Sequence, residues 1–228
     1  AGARSVVVSP DGAQVYVAAR TGGVFAIYNR DKNSGLLSLK DKYTNNQFIK
    51  GLTGAYGVAV APNGQHIYVT GNTANAISIF SRDADNFVGP AADVISAPDL
   101  GGARGLAISP DGAHLYVAGS TGTISGTIAV YTINQATGAL SHMQTRREGE
   151  LIAIFPFALF LDGLAGAAQV AVSPDGQFVY VTAFDDDAVN VFRRDVLTGK
   201  LNRLRLYRDG FSGVQGLDGA SGLAFSQD

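Results

Sequence analysis

Cysteine and tryptophan are absent from this 228-residue chain, methionine occurs once and histidine three times. Without cysteine there is no disulfide, no thiolate nucleophile and no cysteine-ligated zinc site. An excess of one charge is lacking too: 17 Lys and Arg stand against 19 Asp and Glu, a net charge of −2, and no basic block occurs. Nucleic acid is therefore not an expected partner, because phosphate backbones are held by clustered cations. No apolar run reaches the ~18 residues of a membrane-spanning helix, so no transmembrane segment is expected. No signal-peptide pattern precedes the first strand pattern. The chain also lacks a Gly-x-Ser-x-Gly nucleophile elbow and a phosphate-binding loop. No cofactor is expected.

What the chain has in quantity is glycine, 29 residues, set between short apolar runs. Ser9-Pro10-Asp11-Gly12 recurs as Ala61-Pro62-Asn63-Gly64, Ser109-Pro110-Asp111-Gly112 and Ser173-Pro174-Asp175-Gly176, and a further copy begins at Ser226-Gln227-Asp228. Pro presets φ, Asp or Asn bonds locally, and Gly accepts a positive φ, so each copy reads as a tight turn between strands. The first repeat shows the pattern: Ser5-Val6-Val7-Val8, Val15-Tyr16-Val17-Ala18, Val24 to Tyr28 and Leu36-Leu37-Ser38-Leu39, each ended by a turn signal. The second repeat has a weak fourth strand near Phe87, and the fifth has one strand, Gly222-Leu223-Ala224-Phe225. A Gly-Ala pair opens the repeats at Gly2, Gly54, Gly102, Gly166 and Gly219, with spacings of 52, 48, 64 and 53. Four strands in a unit of about 50 residues indicate a β-propeller.

The fold class is therefore all-β: a β-propeller of four-stranded antiparallel blades, about four blades plus one extra inner strand. It forms a single domain, 1–228, with repeats at 2–53, 54–101, 102–165 and 166–218 and the start of a fifth at 219–228. Four such sheets rarely close a ring, so a partial ring, or one completed by another copy, is expected. The orphan strand is then a template for self-association.

At Ser173 to Val181, Ala188 to Asp195 and Thr198 to Leu201 the chain resembles the lactonase-type propeller repeat, also called the YVTN repeat. The resemblance covers essentially the whole chain. It implies the fold of 6-phosphogluconolactonase-like proteins, a family that also holds bacterial surface and periplasmic proteins. A periplasmic, extracellular or cell-surface location is thereby favoured over the cytoplasm. The matching residues are turn and core residues, so they carry over architecture and no active site.

Candidate residues come from what departs from the repeat. The turns between second and third strands and the crossings between blades share one irregular face: 20–23, 71–75, 119–126, 185–187 and 146–166. Binding sites concentrate on such loops. Two residues after each opening Gly stand Arg4, Tyr56, Arg104, Ala168 and Ser221. Arg4, Tyr56 and Arg104, at the axial mouth, are expected to bind a small anionic or sugar ligand by charge-assisted hydrogen bonds; the alternative is that the arginines serve neighbouring carbonyls. The insertion carries Leu151, Ile152, Ile154, Phe155, Phe157, Leu159 and Phe160. It reads either as a loop folded onto the junction of blades three and four or as an interaction loop for a protein partner. Asp185, Asp186 and Asp187 are weak metal candidates, lacking the spacing of a calcium loop; otherwise no metal site is expected. His66 and His114 share a repeat position with Gln14 and Phe178, which reads as a tolerant surface position. Arg30-Asp31, Arg82-Asp83 and Arg194-Asp195 read as turn-stabilising pairs.

The favoured reading is a non-enzymatic scaffold or binding module, acting through its loop face or by self-association. The alternative is a sugar-lactone hydrolase, 6-phosphogluconolactonase-like, in which Arg104 or Arg4 holds the substrate and Asp218 or Glu150 activates water.

Overall fold

The structure, a computed structural model, describes residues 2–90, 93–122, 124–153 and 159–226. Blade one is built of β1 (Ala3–Val8), β2 (Gln14–Ala19), β3 (Val24–Arg30) and β4 (Leu37–Thr44). Blade two follows as β5 (Ala55–Val60), β6 (His66–Gly71), β7 (Ala76–Ser81) and β8 (Asp93–Ser96), and a 3-10 turn (Pro98–Leu100) leads out of it. Blade three has β9 (Ala103–Ile108), β10 (His114–Gly119), β11 (Thr127–Ile133) and β12 (Leu140–Arg147). A short hairpin, β13 (Leu151–Ala153) and β14 (Leu159–Phe160), precedes blade four: β15 (Ala167–Val172), β16 (Phe178–Ala183), β17 (Ala188–Arg194) and β18 (Leu201–Arg208). Each blade pairs its strands in sequence order. The all-β propeller-blade architecture read from the sequence is the one found.

The strands form because β-branched and aromatic residues alternate between Gly-containing turns. In the first turn Ser9 Oγ donates to Asp11 Oδ1 (2.6 Å), which also accepts from the Ala13 N–H (3.0 Å), while Gln14 N–H donates to Ser9 Oγ (2.9 Å). Gly12 closes it with φ 70°, a conformation an L side chain disfavours.

The chain divides into two compact units, residues 1–103 with 133–140, and residues 104–132 with 141–228. In the first, Tyr16, Phe25 and Ile27 of blade one pack against Val58, Ile67, Val69 and Phe80 of blade two. In the second, Tyr116, Ile128 and Val130 of blade three pack against Val170, Val179, Val181 and Phe192 of blade four, over Leu161 and Leu164 of the insertion.

Arginine latches join the blades inside each unit. Arg82 of blade two reaches Asp11 of blade one, and its Nε donates to Gln14 Oε1 (2.9 Å). Arg194 of blade four donates to Asp111 Oδ2 of blade three (2.7 Å) and to the Tyr116 hydroxyl (2.9 Å). Burial opposes ionisation of Asp111, yet its bonds from Ser109, the Ala113 N–H and Arg194 outweigh that and hold its pKa at about 2.

Three expectations are corrected. The fourth strand of blade two does not lie at Phe87: Asp83 Oδ1 accepts from the Asp85 and Phe87 N–H groups (3.0 and 2.8 Å), turning the chain there, and the strand begins at Asp93. Residues 222–225 form no strand, since no neighbouring strand among the described residues pairs with them; Phe225 instead meets the Tyr180 ring edge-on at 5.4 Å. His66 and His114 are not surface residues but are 6% and 2% exposed, seated where a Cβ on Gly138 or Gly199 would meet their rings.

Candidate functional site

An antiparallel meander sends the turns between second and third strands, and the crossings between blades, to the same end of each blade. In the first unit that end forms an open cavity of about 590 Å³. Arg4 enters it from β1, Arg20 and Thr21 from the β2–β3 turn, Asn45 and Thr53 from the crossing between blades, and Thr73 from the β6–β7 turn. Arg4 stands where the β1–β2 register shifts, between Ala3 and Ser5, and Tyr56 where β5–β6 shifts, between Ala55 and Val58. A bulge re-aims the side chain it carries. These two bulges bring the pair together, with the Arg4 guanidinium 5.7 Å from the centre of the Tyr56 ring. Arg104, the third residue expected at the mouth, belongs to the second unit, where it donates to the Gly166 carbonyl (3.3 Å).

The second unit builds a different site at its loop end. Glu148, Asp162 and Asp186 place carboxylate oxygens within 4.8 Å of one another. Glu148 and Asp162 flank the β13–β14 hairpin, and Asp186 comes from the β16–β17 turn. Backbone bonds fix two of them: the Leu164 N–H donates to Glu148 Oε2 and the Ala165 N–H to Asp186 Oδ2, both at 2.7 Å. Arg208, at the end of β18, donates to Asp162 Oδ1 (2.8 Å) and Asp186 Oδ1 (3.1 Å). Gly126 makes room: a Cβ there would collide with the Leu164 carbonyl.

The electrostatics separate the two flanking acids. The Arg208 hydrogen bond holds Asp162 below the usual carboxylate range. Burial pushes Glu148 up, and the Asp186 and Asp162 charges reinforce it against the Leu164 bond. Glu148 and Asp162 also share a side-chain hydrogen bond, which shifts the two in opposite directions, Glu148 up and Asp162 down. The same oxygens are the metal-capable group among the described residues, and of the expected Asp185, Asp186 and Asp187 only Asp186 contributes to it. Asp187 Oδ1 instead accepts from the Gly219 N–H (2.8 Å), and Asp185 is exposed.

The two bases expected for a hydrolase do not reach this cluster. Glu150 is paired with Arg146 at 2.7 Å, and Asp218 is exposed. In the insertion, Leu151, Leu159 and Phe160 are 46%, 51% and 52% exposed, whereas Ile152 packs against the core of the second unit. Ile154, Phe155 and Phe157 lie outside the described residues.

Comparison with known proteins places this architecture. The family described as lactonase, 7-bladed beta-propeller, matches residues 1–157. A candidate 6-phosphogluconolactonase from Bacteroides uniformis is similar at 18% identity and a TM-score of 0.72, over 90% of this chain and 55% of that one. The periplasmic gluconolactonase of Pseudomonas aeruginosa is similar at 20% identity and 0.67, over 91% and 54%. Kuenenia stuttgartiensis hydrazine synthase is similar at 18% identity and 0.62, over 91% and 49%. At these identities the likeness is one of fold, and the chain spans about half the length of these structures. No curated protein matches the chain.

Proposed function

The chain belongs to the seven-bladed β-propeller lactonase family, and on that premise we propose that it hydrolyses the ring ester of a sugar lactone. The scaffold reading favoured from the sequence gives way to its alternative, because the matched family is one of lactonases. The observation that carries the reading to particular residues is the Glu148–Asp162 pair beside Arg208.

Ester hydrolysis needs a base for the attacking water and an acid for the departing alkoxide. Asp162, kept ionised by Arg208, takes a proton as the water oxygen bonds to the lactone carbonyl carbon. The carbonyl–ring oxygen bond then breaks, and Glu148 gives its proton to the ring oxygen, leaving a hydroxy acid. The proton on Asp162 passes to Glu148 along their shared hydrogen bond, restoring the starting state. Arg104 reaches the Gly166 carbonyl, next to Ala165, whose N–H is bound by Asp186, so its guanidinium supports the segment that carries the acids.

The test is turnover of glucono-δ-lactone and of its 6-phosphate, corrected for the buffer rate. Asp162→Asn should lower kcat/KM by ~10²-fold or more, the usual worth of a positioned base, with the circular dichroism spectrum unchanged. Hydrolysis that is unaffected by both Asp162→Asn and Glu148→Gln would remove this assignment.

A further inference from the structure

Asp162 is held at its carboxylate by Arg208 and at its backbone by a residue with no part in the chemistry above. Asn190, in the middle of β17, is fully buried, and its Nδ2 donates to the Asp162 carbonyl (2.8 Å). In register it lies between Val181 of β16 and Leu206 of β18. Asn190 and Leu206 together form the floor beneath Gly163, which has φ 92°; a Cβ there would collide with Leu206 and press on Asn190 Nδ2. The peptide that follows the Asp162 side chain is therefore fixed from below.

The repeat does not require a polar residue at this position. It is Ala26 in blade one and Ala129 in blade three, at the same register of the third strand. In blade two it is Ser78, also buried, whose Oγ donates to the Lys50 carbonyl (2.9 Å); Gly51, the next residue, has φ 83°. One device thus occurs twice: a buried donor on the third strand holds the carbonyl that precedes a left-handed glycine. In blade two the held residue is an exposed lysine, and in blade four it is Asp162. Asn is disfavoured inside a strand, and the Asn190 Oδ1 accepts no bond among the described residues, which costs stability. What the side chain supplies against that cost is the bond to Asp162.

We propose that Asn190 is a positioning residue: by fixing the Asp162–Gly163 peptide it aims the Asp162 carboxylate at Arg208 and Glu148. Its bearing on turnover rests on the reading of Asp162 as the base. Glu148 and Asp186 grip the Leu164 and Ala165 N–H groups, so the following peptides stay in place without Asn190, and the Asp162 peptide is the one released. Asn190 is neutral. Exchanging it for another neutral residue moves Asp162 without altering the charge around it.

The experiment is a 13C-NMR titration of the side-chain carboxyls in the full chain, the Asp162 signal being identified by its loss in Asp162→Asn, alongside lactone turnover. In Asn190→Ala the Asp162 titration should move up towards the ordinary carboxylate value, because the Arg208 bond that lowers it is loosened. The acid limb of kcat/KM should move up with it, and kcat/KM should fall ~10-fold or more, since displacing a reacting group by about 1 Å costs up to ~10²-fold. Asn190→Ser, the donor used in blade two, should restore both. Asn190→Val fills the strand position without a donor and repeats the test if Asn190→Ala loses its fold. An Asp162 titration unchanged in the folded Ala or Val variant overturns the proposal. A titration that moves in a chain that opens no lactone upholds the positioning and removes the hydrolysis.

Discussion

At the scale of single residues the latch between Asp111 and Arg194 gives the clearest consequence. Arg194 is buried and its partner carboxylate is half-exposed. Asp111→Ala should therefore cost about 1–2 kcal/mol, the lower part of the range for a hydrogen bond to a charged group. The pH dependence follows from a folded-state pKa of about 2 against an ordinary 3.8. The group's contribution is full above the ordinary value and is lost as pH falls from about 4 to about 2. Thermal midpoints of wild type and Asp111→Asn should converge within that window; a constant difference across it would contradict the latch. The turn role of the aspartate was legible in Ser-Pro-Asp-Gly, since its bonds are local. The latch was not, because Arg194 lies 83 residues from Asp111 and no spacing rule joins them. His66 and His114 misled for a related reason. Gln14 and Phe178 at the same repeat position suggested tolerance, whereas the neighbouring blade's turn covers both histidines.

At the scale of elements the insertion between blades three and four carries two of the three clustered carboxylates, Glu148 and Asp162, on which the proposed hydrolysis rests. Its apolar composition was legible, but not which of its residues turn inward. Leu161 and Leu164 are buried in the second unit's core, while Leu151, Leu159 and Phe160 remain exposed on the hairpin. The meeting of Glu148 with Asp162 was missed. A signal existed, because the apolar run is bracketed by acids, and a hairpin brings its two ends together. The sequence instead pointed to Glu150, which the structure commits to Arg146. Gly126 is the element's weak point, since any side chain there meets the Leu164 carbonyl. Gly126→Ala should destabilise the fold by about 1–3 kcal/mol, in the range of an overpacked site. It should also lower lactone turnover by more than the loss of folded protein, because Leu164 and Ala165 position Glu148 and Asp186. Turnover per folded molecule equal to wild type would show that the cluster does not depend on this contact.

At the scale of the whole molecule the repeat fixes the sheets and leaves the loops free to differ. Strand content, turn chemistry and the propeller family were readable from Gly spacing and the Ser-Pro-Asp-Gly copies, because backbone requirements recur in every blade. The meeting of Arg4 and Tyr56 was readable because they share a repeat position, and the bulges there bring them together. Arg20 fell within the 20–23 loop assigned to the irregular face, whereas Asn45 was not singled out because nothing in its local sequence marks it. The loop ends of the two units accordingly differ in chemistry: arginines, hydroxyls and an amide line the cavity of the first, and three carboxylates gather in the second.

The measurement that bears most directly on the proposed hydrolysis is the pH–rate profile of lactone turnover in wild type and Glu148→Gln. Asp162 sits below the usual carboxylate range and Glu148 above it. The wild-type rate should therefore rise through an acid limb below the ordinary Asp value and fall through a limb above the ordinary Glu value. Glu148→Gln should be slower by ~10²-fold and lack the falling limb. A wild-type chain that opens the lactone no faster than buffer, or a falling limb that survives in Glu148→Gln, would contradict the account.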